Sequence, residues 1–293
     1  MLKLLVLVAS ACASASCLSL APVQHALVAP ATAWGRAVGV AQHALEAPRV
    51  LSSGAPALDE LANARIPSAD GEELLAYVAR PSEAPDGPLP VLILIHEFFG
   101  LSQSIADKAQ LFADELGCLA IAPDTFRGTA TTFIPQAIWL ALTTPQPRVN
   151  RDLDSVVAWA SSQEGADASK LAILGFCYGG GKALRYTTSS SLRGKAATVV
   201  FYGNPLTDAA EFANLEAPVC GVFGRNDVQI PSVTVDAFRD ALAQAGVANE
   251  VVSYDGVGHA FWSDVAQVRR RQMPQLAAWE QTTNFLREFY TSS

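Results

Sequence analysis

Gly175-Phe176-Cys177-Tyr178-Gly179 directly follows the apolar run Leu171-Ala172-Ile173-Leu174. The pattern G-x-C-x-G behind a strand-like run is that of a nucleophile elbow, in which a sharp strand-to-helix turn holds one side chain on strained backbone. The flanking glycines answer a steric need, because a Cβ there would strike neighbouring backbone. A helix opening at Gly180 would aim its N-terminal N–H groups at the sulfur, favouring a thiolate and later an oxyanion. Taken alone, the segment also fits a core cysteine in a glycine-rich turn. A phosphate-binding loop fits worse: it needs glycine at 176 and Ser or Thr at 183, where this chain has Phe176 and Ala183.

A thiol nucleophile needs a base. Of the four histidines, His25 and His43 fall in an N-terminal extension, leaving His96 and His259. His259 lies in Gly256-Val257-Gly258-His259-Ala260-Phe261, just after the strand-like 250–254. In the chain order nucleophile, acid, histidine, the acid must fall between 177 and 259 at a strand end. Asp227 meets this, following Gly221-Val222-Phe223-Gly224 and preceding Ile230-Pro231. Asp236 and Asp240 read as the solvated face of the next helix. Singly, Asp227 fits an N-cap and His259 a loop histidine. The ordered sequence of strand-elbow, strand-acid and strand-imidazole argues for the triad Cys177, His259 and Asp227. His96, at the end of an apolar strand, reads as a loop-ordering residue.

The elements that must position these groups are strands over 74–78, 91–96, 118–123, 171–175, 198–202, 219–223 and 251–254. Helical patterns lie between most of them, over 105–116, 153–161, 180–188 and 233–245, with a last one over 275–290. This alternation predicts an α/β fold with a mostly parallel central sheet and helices on both faces. Active groups of such a sheet gather at the carboxyl ends of its strands. Glu97, directly after the buried-type strand Val91–His96, belongs at that mouth. Residues 129–147, with Phe133, Ile134, Trp139 and Leu140, fall near the same mouth and read either as a pocket wall or as a helix packed on the sheet.

At the level of whole motifs the chain resembles the dienelactone hydrolase (carboxymethylenebutenolidase-like) family of α/β-hydrolases. Gly175-Phe176-Cys177-Tyr178-Gly179-Gly180 is similar to its G-x-C-x-G-G elbow, and Asn226-Asp227 and His259-Ala260-Phe261 to its acid and base segments. His96-Glu97-Phe98-Phe99-Gly100 and Ala122-Pro123-Asp124 resemble two further family segments. The resemblance runs from about residue 65 to the end. It implies an α/β-hydrolase fold and a Cys177–His259–Asp227 triad that cleaves a small-molecule ester or lactone. It further implies Glu97 as a carboxylate that pairs with the resting thiol and helps to ionise it, and backbone N–H groups of Phe98 and Tyr178 as the oxyanion hole. Arg127 matches, with a one-residue offset, an arginine that holds a substrate carboxylate. A second such arginine is expected where this chain has Ser263, which bears on carboxylated substrates and not on the hydrolytic machinery.

Half of the residues are apolar and the formal net charge is −8. Nothing in that balance draws a polyanion, so nucleic acid is not an expected partner. No His/Cys spacing suits zinc, and no cofactor is called for. A hydrolase domain over residues 61–293 and a monomer are expected. Thioesterase and general carboxylesterase activities share the same acyl chemistry. From other classes, a redox-sensing Cys177 or a non-catalytic binding module on the same fold would need neither Asp227 nor an oxyanion hole. Residues 1–60 read as a targeting presequence and linker. Met1-Leu2-Lys3 leads into the apolar run Leu4–Ala9, Ala11-Cys12-Ala13 and Ala13-Ser14-Ala15 offer cleavage sites, and residues 1–45 hold no Asp or Glu. The apolar run is too short to cross a bilayer. A signal peptide backed by a transit-like segment implies a plastid, and a signal peptide alone an extracellular location. N-terminal sequencing of the mature protein is expected to begin after residue 13 or 15 for plain secretion, and near residue 42 for a bipartite presequence.

Overall fold

A computed structural model describes residues 58–83, 85–189, 192 and 194–292. The presequence expected over the first residues, with its cleavage sites, lies outside them. After a single helical turn, α1 (Leu58–Leu61), come strands β1 (Ala64–Pro67), β2 (Glu73–Ala79), β3 (Leu89–Ile95), β4 (Leu119–Pro123), β5 (Ala166–Phe176), β6 (Ala197–Phe201), β7 (Val219–Gly224) and β8 (Asn249–Tyr254). They form one sheet in the order β1-β2-β4-β3-β5-β6-β7-β8. Pairing is antiparallel from β1 through β2 to β4 and parallel across the rest.

The central strands are uninterruptedly apolar because both faces are covered. Along β3, Leu92 and Leu94 pack into a core formed with α2 (Gln103–Leu116) and α8 (Gln275–Ser292). Val91, Ile93 and Ile95 point the other way, against α4 (Gln146–Ser161) and α5 (Tyr178–Thr187). Farther along that face, Val219, Phe223 and Val251 pack with Val235 and Phe238 of α6 (Ser232–Gln244). The remaining helices are α3 (Ile134–Thr143) and the short α7 (Val265–Arg269).

The structure departs from the sequence expectation chiefly at β1, at the start of β5 and at the start of α4. A strand that the sequence did not announce, β1, pairs with β2 at the sheet edge, its Ala-Arg-Ile-Pro being too short and mixed to show an alternation. Strand β5 begins at Ala166 because Leu89 and Pro90 pair with Ala166 and Asp167 before the register shifts at Val91. Helix α4 begins two turns before the expected Leu153: Pro147 sits in its first turn, where proline's missing N–H costs nothing. Of the two readings open for residues 129–147, a helix is present, α3, with Ala137 and Leu140 buried.

The parallel register aligns the strand ends that carry chemistry. Ile95 pairs with Gly175, so Phe98 and Tyr178 each lie three residues beyond one paired position. A Cβ on Gly175 would sit 2.1 Å from the Gly179 carbonyl oxygen, and one on Gly179 would sit 2.2 Å from that of Ile95. These are backbone atoms of the buried first turn of α5 and of the buried strand β3, so they have nowhere to move. Gly175→Ala is therefore expected to destabilise the protein by about 3 kcal/mol, the upper end of overpacking costs, read as a lowered urea midpoint at unchanged slope.

Candidate active site

Strand β5 delivers Cys177 and α5 leads away from it. Cys177 has φ 52° and ψ −112°, outside the usual regions for a side-chain-bearing residue. Its amide is fixed by a 2.9 Å bond to the Phe201 carbonyl at the end of β6. Close approach of Gly180 and Gly203 completes the seat: a Cβ on Gly203 would lie 2.5 Å from the Gly181 nitrogen. The backbone is thus held in the strained form from three sides, leaving the sulfur half-buried at the mouth as the N-cap of α5.

His259 and Asp227 come from neighbouring loops bound to each other. Asn226 N–H donates to the Val257 carbonyl at 2.9 Å, and a Cβ on Gly224 would meet the Val257 and Gly258 carbonyl oxygens at 2.5 Å. That contact brings His259 Nδ1 to 2.7 Å from Asp227 Oδ2 and His259 Nε2 to 3.0 Å from Cys177 Sγ. The other carboxylate oxygen, Asp227 Oδ1, accepts the amides of Gln229 and Ile230 at 2.7 and 3.0 Å. Asp227 is therefore anchored by backbone and cannot turn from the imidazole. Burial pushes the His259 imidazole down, but hydrogen bonds to Asp227 and Cys177, with the charges behind them, outweigh it and lift it to about 10.

Glu97 stands beside this triad and contacts Tyr202. The buried Tyr202 hydroxyl lies 3.3 Å from Glu97 Oε1 and 3.1 Å from the Trp262 carbonyl, so its single proton can serve either acceptor. Burial first, then the charges of Glu97 and Cys177, push that phenol far above its ordinary range and keep it a donor. Its ring also meets the His259 ring edge-on at 5.4 Å. In this arrangement the thiol is with His259 and Glu97 is with Tyr202. No sequence motif pointed to Tyr202; its place at the end of an apolar strand, before a glycine, is the one signal it offers.

Phe98 and Tyr178 each follow the end of a strand of this mouth, β3 and β5. Tyr178 is the first residue of α5, whose N–H has no acceptor within the helix. Phe98 is inside a turn closed by the Gly100 N–H on the Glu97 carbonyl at 3.1 Å. Thr131 N–H, donating to the Phe99 carbonyl at 3.0 Å, fastens that turn to the segment leading into α3.

Three further residues have partners away from the triad. His96 is fully buried; Nδ1 donates to the Glu97 carbonyl at 2.7 Å and Nε2 accepts the Thr125 amide and hydroxyl at 3.1 and 2.9 Å. It ties the β3 and β4 loops together. Arg127, expected to face substrate, donates to Asp152 on α4, to Asp70 in the β1–β2 turn and to Ser68. Those bonds, Asp152 foremost, hold its guanidinium above even the usual arginine range. Ser263 is exposed and its N–H donates to Gln267 at 2.9 Å. Among the described residues no group of three or more His, Cys, Asp or Glu is placed to hold a metal ion.

The dienelactone hydrolase family model matches residues 74–290. A Salmonella typhimurium protein whose name assigns it to the carboxymethylenebutenolidases is 38% identical over 213 residues, covering 68% of this chain and 77% of its own. A Methylorubrum extorquens protein assigned likewise is 32% identical over 239 residues, covering 77% and 80%. A crystal structure from Klebsiella pneumoniae, described as a dienelactone hydrolase, superimposes with TM-score 0.66 at 33% identity over 76% of this chain and 95% of that one. The chain accordingly belongs to the dienelactone hydrolase family and is a hydrolase of small-molecule esters or lactones on the α/β-hydrolase fold.

Proposed function

We propose that hydrolysis runs through a Cys177–His259–Asp227 triad and a thioester acyl-enzyme. The observation that carries this reading is the unbroken chain Sγ–Nε2 3.0 Å, Nδ1–Oδ2 2.7 Å. With His259 lifted to about 10, the proton shared with Cys177 resides on Nε2 near neutral pH, and the thiolate it leaves attacks the ester or lactone carbonyl. Negative charge developing on the carbonyl oxygen is taken by the Phe98 and Tyr178 N–H groups; such donors are each worth about 3–4 kcal/mol of barrier. The carbon–oxygen bond then breaks, and His259 returns its proton to the departing alkoxide or enolate. Water, deprotonated by the same imidazole, cleaves the thioester, and the proton comes back to sulfur. Asp227 fixes the tautomer and supports the imidazolium throughout. Glu97 acts on the thiol from the Tyr202 side.

The names of the relatives support a lactone substrate, and surface chemistry supports one with an apolar part. Phe133, Trp139 and Leu142 are 64, 50 and 59% exposed on and beside α3, which is tied to the oxyanion turn through Thr131. Arg127, already matched by two carboxylates, braces the edge hairpin to α4 in this reading, and anchoring of a substrate carboxylate falls to it only if those pairs open. A redox-sensor role finds little support: the other described thiols, Cys118 and Cys220, are fully buried, and burial drives both well above the ordinary thiol range.

Cys177→Ala is expected to abolish turnover of enol lactones, aryl esters and acyl thioesters alike, and intact-mass spectrometry of quenched wild-type enzyme should find an acyl adduct on the Cys177 peptide. Undiminished hydrolysis by Cys177→Ala would sink the proposal. An NMR titration of the His259 ring is expected to give a midpoint near 10, falling in Asp227→Asn and dropping below the free value of 6.5 in the Asp227→Asn/Cys177→Ala double variant, where burial alone remains. Because the folded value is raised, the stability contributed by this imidazolium is full below pH 6.5 and is lost as pH climbs through about 10.

A further inference from the structure

Two basic side chains reach one residue from different helices. Lys182, in α5, donates through Nζ to the Thr144 carbonyl at 2.8 Å. Arg148, in the first turn of α4, donates through Nη2 to Thr144 Oγ1 at 3.2 Å and to the Thr125 carbonyl at 3.1 Å. All three acceptors are neutral oxygens. Arg65, Arg127, Arg225, Arg239 and Arg287, by contrast, lie in ion pairs with Asp or Glu. Among the described residues no carboxylate stands within ion-pair distance of Lys182 or Arg148. Burial, then the charges of Arg185 and Arg148, push the half-buried Lys182 ammonium down to about 8. The first turn of α4 holds no acidic residue, so Arg148 also meets the positive end of its own helix unopposed.

Donors are left over as well. An ammonium has three N–H groups, and that of Lys182 uses one, on the carbonyl that ends α3, a placement the dipole of α3 favours. Arg148 uses only Nη2: its Nη1 has no partner among the described residues, and its Nε is buried without one. Two cations without acids and several donors without acceptors are the conditions under which an anion binds. The place adjoins the chemistry. Lys182 Nζ lies 5.2 Å from the centroid of the Tyr178 ring, and Tyr178 directly follows Cys177. Thr125, whose carbonyl Arg148 holds, donates through Oγ1 to the Tyr178 hydroxyl at 3.4 Å. We propose that Lys182 and Arg148 form a binding site for a compact oxyanion, a carboxylate or a phosphate, in the seam where the end of α3 meets the opening turns of α4 and α5. A planar guanidinium edge and a point-like ammonium together suit two oxygens of one anion. The site is separate from Arg127, which Asp152 and Asp70 already match. Its anion is either a group of the substrate remote from the scissile bond or a free ion, and binding there does not depend on which residue is the nucleophile.

The test is a titration of the full-length enzyme with inorganic phosphate at constant ionic strength, followed by phosphorus NMR line broadening. Wild type should bind saturably. Lys182→Met and Arg148→Met should each weaken binding about tenfold, as expected for loss of a charge-assisted hydrogen bond, and Lys182→Arg should retain it. Arg151→Met, which removes an exposed charge from the same helix as Arg148, should leave binding unchanged. Aryl esters with and without a carboxylate at the far end of the acyl chain separate the two sources. For a substrate-borne anion, phosphate competes with the carboxylated ester alone, and the kcat/KM advantage of that ester falls about tenfold in Lys182→Met. For a free ion, phosphate binds equally in the presence of either ester. Wild type that neither binds phosphate saturably nor loses ester preference in Lys182→Met overturns the proposal. Equal weakening by Lys182→Met and Arg151→Met also overturns it, since that marks a diffuse charge effect. Should Arg148→Met fail to accumulate as folded protein, the two Lys182 variants are read by the same criteria. Failure of the nucleophile reading shows separately, as hydrolysis surviving in Cys177→Ala.

Discussion

A sulfur and an imidazole nitrogen 3.0 Å apart share one proton, and nearly every other feature of the molecule serves to keep them there. The contact joins residues 82 positions apart in the chain, so no local preference can make it. It is made by the sheet. Strand β5 brings Cys177, β7 brings Asp227, and the loop after β8 brings His259, while parallel pairing across β6 keeps all three ends level. The strain at Cys177 follows from the same requirement. A relaxed backbone at the end of β5 would lay the side chain along the sheet face, whereas the positive φ lifts it clear of the hydrocarbon. Strain of this kind, on the order of 1–3 kcal/mol, persists only where the surroundings over-determine it. Here the Phe201 carbonyl and the glycine contacts do so.

Charge is the second theme. The triad, Glu97 and Lys108 place two carboxylates, an imidazole, a thiol and an ammonium in and beneath one mouth, walled by Phe176, Phe201 and Trp262. In water such groups would pay little attention to one another; behind rings their interactions strengthen several-fold. Every carboxylate of the set must then be given a donor that does not compete with its role. Asp227 has two backbone amides on one oxygen and the imidazole on the other. Glu97 has only a phenol, whose proton has a second acceptor, and this leaves it the movable member. Arg127, Asp152 and Asp70 form a separate matched group on the other face, outside this circuit.

What could be read from the sequence is what a local steric or chain-order demand writes there. Gly175 and Gly179 were legible because a Cβ at either position has no space, and Asp227 and His259 because each follows a buried strand in the order the chemistry needs. The hidden parts are those decided by distant partners. Tyr202 meets Glu97 across 105 residues. Lys108 looks like any helical lysine until Phe176 and Trp262 close over it. The fate of Arg127 turned on Asp152 and Asp70, which no motif connects to it. Strand β1 and the first turns of α4 escaped for a plainer reason: a mixed four-residue strand and a proline-started helix carry weak periodicity.

The two halves of the mouth are built to different standards. Under Cys177, Asp227 and His259 the backbone passes so closely that a Cβ on Gly175, Gly179, Gly203 or Gly224 would meet other backbone at 2.1–2.5 Å. The segment beside the Phe98–Gly100 turn is held instead by hydrogen bonds at its two ends, the far one from Lys182 Nζ to the Thr144 carbonyl at 2.8 Å. It hangs from the Phe99 carbonyl through one amide, and from the Gly100 turn, where a Cβ would meet the Thr129 carbonyl at 2.8 Å. Beyond Thr131, Phe133 and α3 carry exposed apolar side chains that nothing in the catalytic step requires. Changes there alter the apolar surface beside that turn and touch none of the bonds that hold Cys177, Asp227 and His259. The strand termini are thus fixed by backbone, while the helical excursion beside them presents exposed apolar side chains to the same mouth.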